Sequence, residues 1–169
     1  MKKEFNIVTE GVLVIASSSA LKSEYSEKEF DYDFPNGLSR LLDKNNVIAL
    51  TTSEGDDLKI TIELDTPIDW TKYEKVINQY LTITDENDEL LIMSHAEFTM
   101  ICRHKKGDYK KYGQSLEFVN RLKKGLYKIE IGIIYTGDDY DKHQTSFNLK
   151  INISETQEDV NSNEVFDIG

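Results

Sequence analysis

The sequence predicts an all-β fold: an antiparallel two-sheet β-sandwich of about eight to ten strands with little helix. Three observations predict it. Apolar and polar residues alternate over several segments, the period of a strand with one face on a core and one in water. Clusters of Gly, Asn and Asp punctuate those segments. The segments recur at the short spacing of sandwiches and barrels, and short connections between consecutive strands imply antiparallel pairing.

Phe5–Val8 and Val12–Ser17 are the first two predicted strands. Ser19–Leu21 and Leu38–Leu42 are too short to assign. Val47–Thr52 is a strand, and Ser53-Glu54-Gly55-Asp56-Asp57 turns it back as a hairpin into Leu58, Ile60, Ile62 and Leu64. Asp69 or Thr71 could cap a helical turn at Trp70, but a loop leading into the strand Val76–Thr84 fits better. Asp85–Glu89 reads as a second hairpin loop, followed by strands Leu90–Ser94 and Glu97–Arg103. Ser115–Val119 is a shorter candidate. Lys123-Lys124-Gly125 leads tightly into the alternating run Tyr127, Ile129, Ile131, Ile133 and Tyr135, in which Gly132 marks a bulge or a close backbone approach. Thr136-Gly137-Asp138-Asp139 turns into the last strand, carrying Phe147, Leu149, Ile151 and Ile153.

The length of 169 residues fits one domain, assigned to residues 1–154, with a core large enough to need no staple. Residues 155–169 carry five acids and no base, and read as an acidic, disordered tail. The net charge is −11, from 31 acidic and 20 basic side chains. That balance opposes nucleic-acid backbones and anionic membranes, and is compatible with plain solubility or with steering toward a basic partner. One cysteine, Cys102, permits no intrachain disulfide. The apolar run Val12–Ala16 is too short for a signal peptide or a membrane span, so a cytoplasmic location is expected.

Catalytic signatures are absent from the local sequence: no nucleophile elbow, phosphate loop, dinucleotide fingerprint or zinc-helix motif surrounds His95, His104 or His143. Cys102 and His104 would share a strand face, but a half-buried structural cysteine is the plainer reading. Asp85, Asn87 and Glu89, like Asp138, Asp139, Asp141 and His143, suggest oxygen-rich cation loops. Neither follows the calcium-loop pattern, and turns favour such residues anyway, so no metal and no cofactor are expected. The segment 24–33 interleaves acids with aromatics. Its residues Tyr25, Glu27, Glu29, Asp31, Tyr32 and Asp33 suit a partner-binding surface in which charge steers and rings anchor. The competing reading is an edge whose charges guard against aggregation.

One pattern goes further. In Leu122-Lys123-Lys124-Gly125-Leu126-Tyr127-Lys128-Ile129 a Gly-x-Tyr opens a late core strand. Pro67 and Trp70 precede an apolar strand at 76–83, after an early strand at Val12–Ala16, a Pro-Asn-Gly turn at 35–37 and a hairpin at 47–64. In this order of elements the chain, over residues 8–153, resembles the competence-associated nuclease inhibitors and related immunity-type proteins of toxin systems. The resemblance implies a non-enzymatic, intracellular acidic protein that binds and neutralises a nuclease or toxin. No inhibitory residue of that family is matched here, so none is carried over. The expectation is therefore an inhibitor or immunity protein acting by occlusion on a basic partner. Two other classes stand beside it: a calcium-dependent small-ligand or carbohydrate binder using Trp70, and a structural subunit of an oligomeric assembly. An enzyme is the reading with least support.

Overall fold

The computed structural model describes residues 2–25, 33–52, 55–66, 68–86, 88–103, 117–139 and 144–169. Among them, ten strands form two five-stranded sheets. They are β1 (Lys2–Thr9), β2 (Val12–Ser17), β3 (Val47–Thr51), β4 (Gly55–Leu64), β5 (Lys75–Ile83), β6 (Asp88–Ser94), β7 (Glu117–Leu122), β8 (Gly125–Asp139), β9 (Gln144–Thr156) and β10 (Phe166–Asp167). The first sheet runs β1-β4-β9-β8-β5 and the second β10-β3-β2-β6-β7. The all-β sandwich is confirmed, but the sheets are mixed and not purely antiparallel. β4 pairs with β9 in parallel from Gly55 opposite Gln144 to Leu64 opposite Ile153, and β10 joins β3 in parallel. These partners lie far apart in sequence, so no tight turn dictates their direction.

The two sheets differ in pattern for a physical reason. First-sheet strands alternate: Ile60, Ile62, Ile129, Ile131, Leu149 and Ile151 are buried, and their polar neighbours face outward. The central second-sheet strands β2, β3 and β6 are instead nearly continuous apolar runs because both their faces are covered. Leu13, Ile15, Ile48, Leu50, Leu90 and Ile92 meet the first sheet. Val14, Ala16, Val47, Ala49, Leu91 and Met93 form a separate core with Ala20 and Leu21 of α1 (Ser18–Tyr25), Leu41 and Leu42 of α2 (Ser39–Asp43), and Phe98 and Ile101 of α3 (His95–Arg103). A helical layer thus covers the second sheet, where the sequence suggested two unassigned short segments and a strand.

α3 corrects the strand expected at Glu97–Arg103. Ser94 and Glu97 form a reciprocal cap: the Ser94 backbone N–H donates to Glu97 Oε2 (3.1 Å), and the Glu97 N–H donates to Ser94 Oγ (3.3 Å). That cap starts a helix whose Phe98 and Ile101, three apart, face the sheet.

Two expected hairpins are also corrected. β3 and β4 lie in different sheets, as do β5 and β6, so the segments at 53–57 and 85–89 cross between sheets. Turn residues signal a chain reversal, and do not specify which strands pair. Their acids are not all tips. Asp56 is buried and accepts from Thr9 Oγ1 (3.1 Å) and the Thr52 hydroxyl. Asp88 is buried against the serines that open α1: the hydroxyls of Ser17, Ser18 (2.6 Å) and Ser19, and the N–H groups of Ser19 (3.0 Å) and Glu89 (2.8 Å), all donate to its carboxylate. Ser17 Oγ accepts in turn from the Ala20 N–H (3.2 Å), an N-cap for α1. β8 and β9 pair antiparallel as expected, but Thr136–Asp139, expected as their turn, belongs to β8, and residues 140–143 lie outside the described residues.

The segment expected to be a disordered tail packs on the domain. Asn163 is buried between the sheets: its amide donates to the carbonyls of Val47 (2.8 Å) and Tyr80 (2.6 Å), and its side-chain oxygen accepts the Tyr80 N–H (3.0 Å). β10 then closes the β3 edge and Ile168 enters the core. Average composition hid three apolar residues, Val165, Phe166 and Ile168, that land on a ready edge.

Asp69 caps the turn Trp70–Lys72, accepting from the Thr71 N–H (3.3 Å) and hydroxyl (2.6 Å). This turn sets Trp70 and Tyr73 over Gly132. A Cβ on Gly132 would lie 2.6 Å from Tyr73 Cδ1 and 3.0 Å from Trp70 Cζ3, which is the close approach the glycine suggested. Gly132→Ala is expected to lower stability by about 1–3 kcal/mol, as overpacking does, and urea denaturation would measure it.

Candidate functional site

The registers gather several loops at one end of the sandwich. In the second sheet, Val12 lies opposite Thr51 and Leu13 opposite Ser94, so the start of β2 and the ends of β3 and β6 share that end. In the first sheet, Thr9, Asp56, Thr145 and Asp138 form one row across β1, β4, β9 and β8. The Gly11 N–H donates to Thr9 Oγ1 (3.2 Å) and the Thr52 N–H to the Gly11 carbonyl (2.9 Å), tying the sheets together there.

The β8–β9 hairpin supplies the aromatic part. Tyr135 lies opposite Phe147, and the register slips between Tyr135 and Gly137. The extra residue, Thr136, makes a β-bulge, a device that re-aims neighbouring side chains. Gly137 has φ +136°, which L side chains rarely adopt. Past the bulge Asp138 is exposed and without an ion pair among the described residues. Tyr135 is 44% exposed and meets the buried Phe147 edge-on at 5.8 Å.

These residues border a pocket of about 320 Å³ between the sheet ends, lined by Thr52, Tyr135, Asp138, Thr145, Phe147, Ile168 and Gly169. The only charged side chain in that lining is Asp138. The volume is at the small end of ligand pockets, which run from about 300 to 1,000 Å³. On the first sheet's outer face a second hollow of about 280 Å³ is bordered by Lys2, Lys59 and Lys150. Two of these lysines are committed to ion pairs, Lys2 with Glu4 (2.6 Å) and Lys150 with Glu63.

Of the residues expected to bind a partner, Glu27, Glu29, Asp31 and Tyr32 lie outside the described residues. Tyr25 ends α1. Asp33 is exposed, and its neighbour Phe34 packs edge-on to His95 at 5.2 Å. His95 follows β6 and stacks on Phe98 at 5.8 Å. Burial holds its pKa below the usual histidine value, against the opposing pull of Glu10 in the β1–β2 turn. Asp33 therefore belongs to the same end of the molecule as the pocket.

The other candidates fare differently. Cys102 sits in α3, where residues two apart do not share a face, and His104 lies outside the described residues. Asp85 and Glu89 flank the buried Asp88, and Asn87, Asp141 and His143 lie outside the described residues. No group of three His, Cys, Asp or Glu side chains among the described residues is arranged to hold a metal ion. No helix among them is long and apolar enough to cross a membrane. The pocket itself was missed, because alternation assigns Tyr135 and Phe147 to the core. The available signal was Gly137 directly after Tyr135-Thr136, which marks where the strand bulges.

The fold is thus that of a two-sheet β-sandwich with one sheet covered by helices and a pocket at one end. No protein-family model matches the chain, and no curated protein matches it. Among solved structures it is similar to one described as crocagin biosynthetic gene J, with a TM-score of 0.56 and 8% identity, covering 93% of this chain and 98% of that one. That likeness shows a shared fold. A weaker resemblance is to ComJ, inhibitor of the DNA degrading activity of NucA, from Bacillus subtilis, with a TM-score of 0.49 and 12% identity, covering 92% of this chain and 96% of that one.

Proposed function

We propose that the chain is a non-enzymatic protein-binding module that neutralises a basic nuclease or toxin by occlusion. One observation carries the reading: Glu10, Asp33 and Asp138 come to the same end of the sandwich as the exposed ring of Tyr135. Carboxylates around an aromatic anchor suit a cationic surface, with charge setting the encounter and the ring supplying contact area. The net charge of −11 acts in the same direction. The Gly125-Leu126-Tyr127 resemblance to nuclease inhibitors supports it independently. Tyr25, Glu27, Glu29, Asp31, Tyr32 and Asp33 are proposed as further contacts, their acids and rings suited to covering the partner's substrate-binding face.

A pull-down from lysate tests it. A basic protein is expected to be retained at low salt and released near 1 M salt, where the screening length falls to about 3 Å. Recovery of no basic protein, or retention indifferent to salt, overturns the proposal.

A further inference from the structure

Resting on that reading, we infer that the pocket at the hairpin end is the seat of one arginine side chain of the partner, held by Asp138 and the aromatic pair Tyr135 and Phe147. The lining narrows the choice of occupant. Phe147 and Ile168 give apolar walls and Tyr135 an exposed ring, so the guest must tolerate partial loss of water. Asp138 places one negative charge and no positive one at the rim, so the guest is a cation. Thr145 lies opposite Asp138 in the β8–β9 register, which sets a hydroxyl oxygen beside the carboxylate. A guanidinium fits this combination better than an ammonium. It is planar, stacks on rings, is more weakly hydrated, and offers five donors in fixed directions to acceptors spread around it. A lysine ammonium would enter at the expense of its stronger hydration.

The bulge gives the pocket its shape. Were Thr136 paired in an unbroken ladder, Gly137 would stand opposite Thr145 and Asp138 would turn to the outer face. The insertion is what points a carboxylate into the space between the sheets.

The test uses the full chain, isotope-labelled, and three probes followed by amide shifts: Nα-acetyl-arginine amide, its uncharged isostere Nα-acetyl-citrulline amide, and Nα-acetyl-lysine amide. The arginine probe is expected to shift Tyr135, Asp138 and Thr145 saturably in the millimolar range proper to so small a ligand. Citrulline should bind about tenfold more weakly or worse. Asp138→Asn and Tyr135→Ala should each weaken arginine about tenfold, while Asp85→Asn on the exposed β5–β6 connection leaves it unchanged. Equal binding of arginine and citrulline, stronger binding of lysine, or no saturable shift near the pocket overturns the assignment. The probes involve no partner protein, so the two readings fail separately. Recovery of a basic protein without arginine binding sinks only the anchor. Arginine binding without any basic protein in the pull-down sinks the inhibitor reading.

Discussion

Replacing Asp88 with alanine is expected to destabilise the fold by about 3–5 kcal/mol, because two or three charge-assisted hydrogen bonds at about 1.5–3 kcal/mol each are lost with partial rescue by water. Asp88 is 3% exposed, and its carboxylate accepts from three serine side chains and two backbone N–H groups. Alanine removes the charged acceptor that these five donors share, leaving the serine hydroxyls only weaker, neutral acceptors among themselves. Asparagine, of similar shape, should restore part of the loss. The pH dependence has a definite sign. Burial pushes the Asp88 pKa up, but the hydroxyls of Ser17, Ser18 and Ser19 and the Ser19 N–H outweigh it, leaving the group below the usual aspartate value. The native state therefore holds this proton less tightly than the unfolded chain. The stabilisation is complete above the unfolded value, about pH 4, and is lost as pH falls toward the lower native value. Urea denaturation from pH 7 down to pH 3 should show the gap between wild type and Asp88→Asn closing below about pH 4. A gap that persists unchanged into acid would contradict the assignment.

The second large effect lies in the helical layer. Phe98→Ala is expected to remove about 3–5 kcal/mol, since the ring is fully buried between α3 and the second sheet. Met100→Ala should stay within about 0.5 kcal/mol, because Met100 is 40% exposed. The pair is diagnostic. On a strand, residues 98 and 100 would share a face and their substitutions would act alike. On a helix they point apart. Similar losses for the two variants would refute the helix.

What could be read from the residues divides along burial. First-sheet strands declared themselves because one face meets water, as in Leu58-Lys59-Ile60-Thr61-Ile62. In the second sheet, Val47-Ile48-Ala49-Leu50 and Leu90-Leu91-Ile92-Met93 carry no alternation, and the absence was itself the signal of cover on both faces. The capping box Ser94-x-x-Glu97 was equally visible and outranks the β-propensity of the residues after it. Pairing across the sandwich was not legible. Nothing local to residues 55–64 names residues 144–153 as their neighbours, since that choice is made by the whole core. The pocket was hidden for a related reason: Tyr135 follows the core alternation and becomes a surface residue only because the hairpin outruns the sheet beneath it.

The parallel contact between β4 and β9 has a consequence for how the molecule is made. Remove β9 and the first sheet divides into a β1–β4 pair and a β5–β8 pair with nothing to join them. Until β9 docks, β4 presents a bare edge along Gly55–Leu64. Closing a gap of that sequence length places the chain among slow folders, whose rate is set by distant pairings. In the meantime the charges that flank Ile60 and Ile62, on Lys59 and Glu63, guard the waiting strand against pairing with another chain.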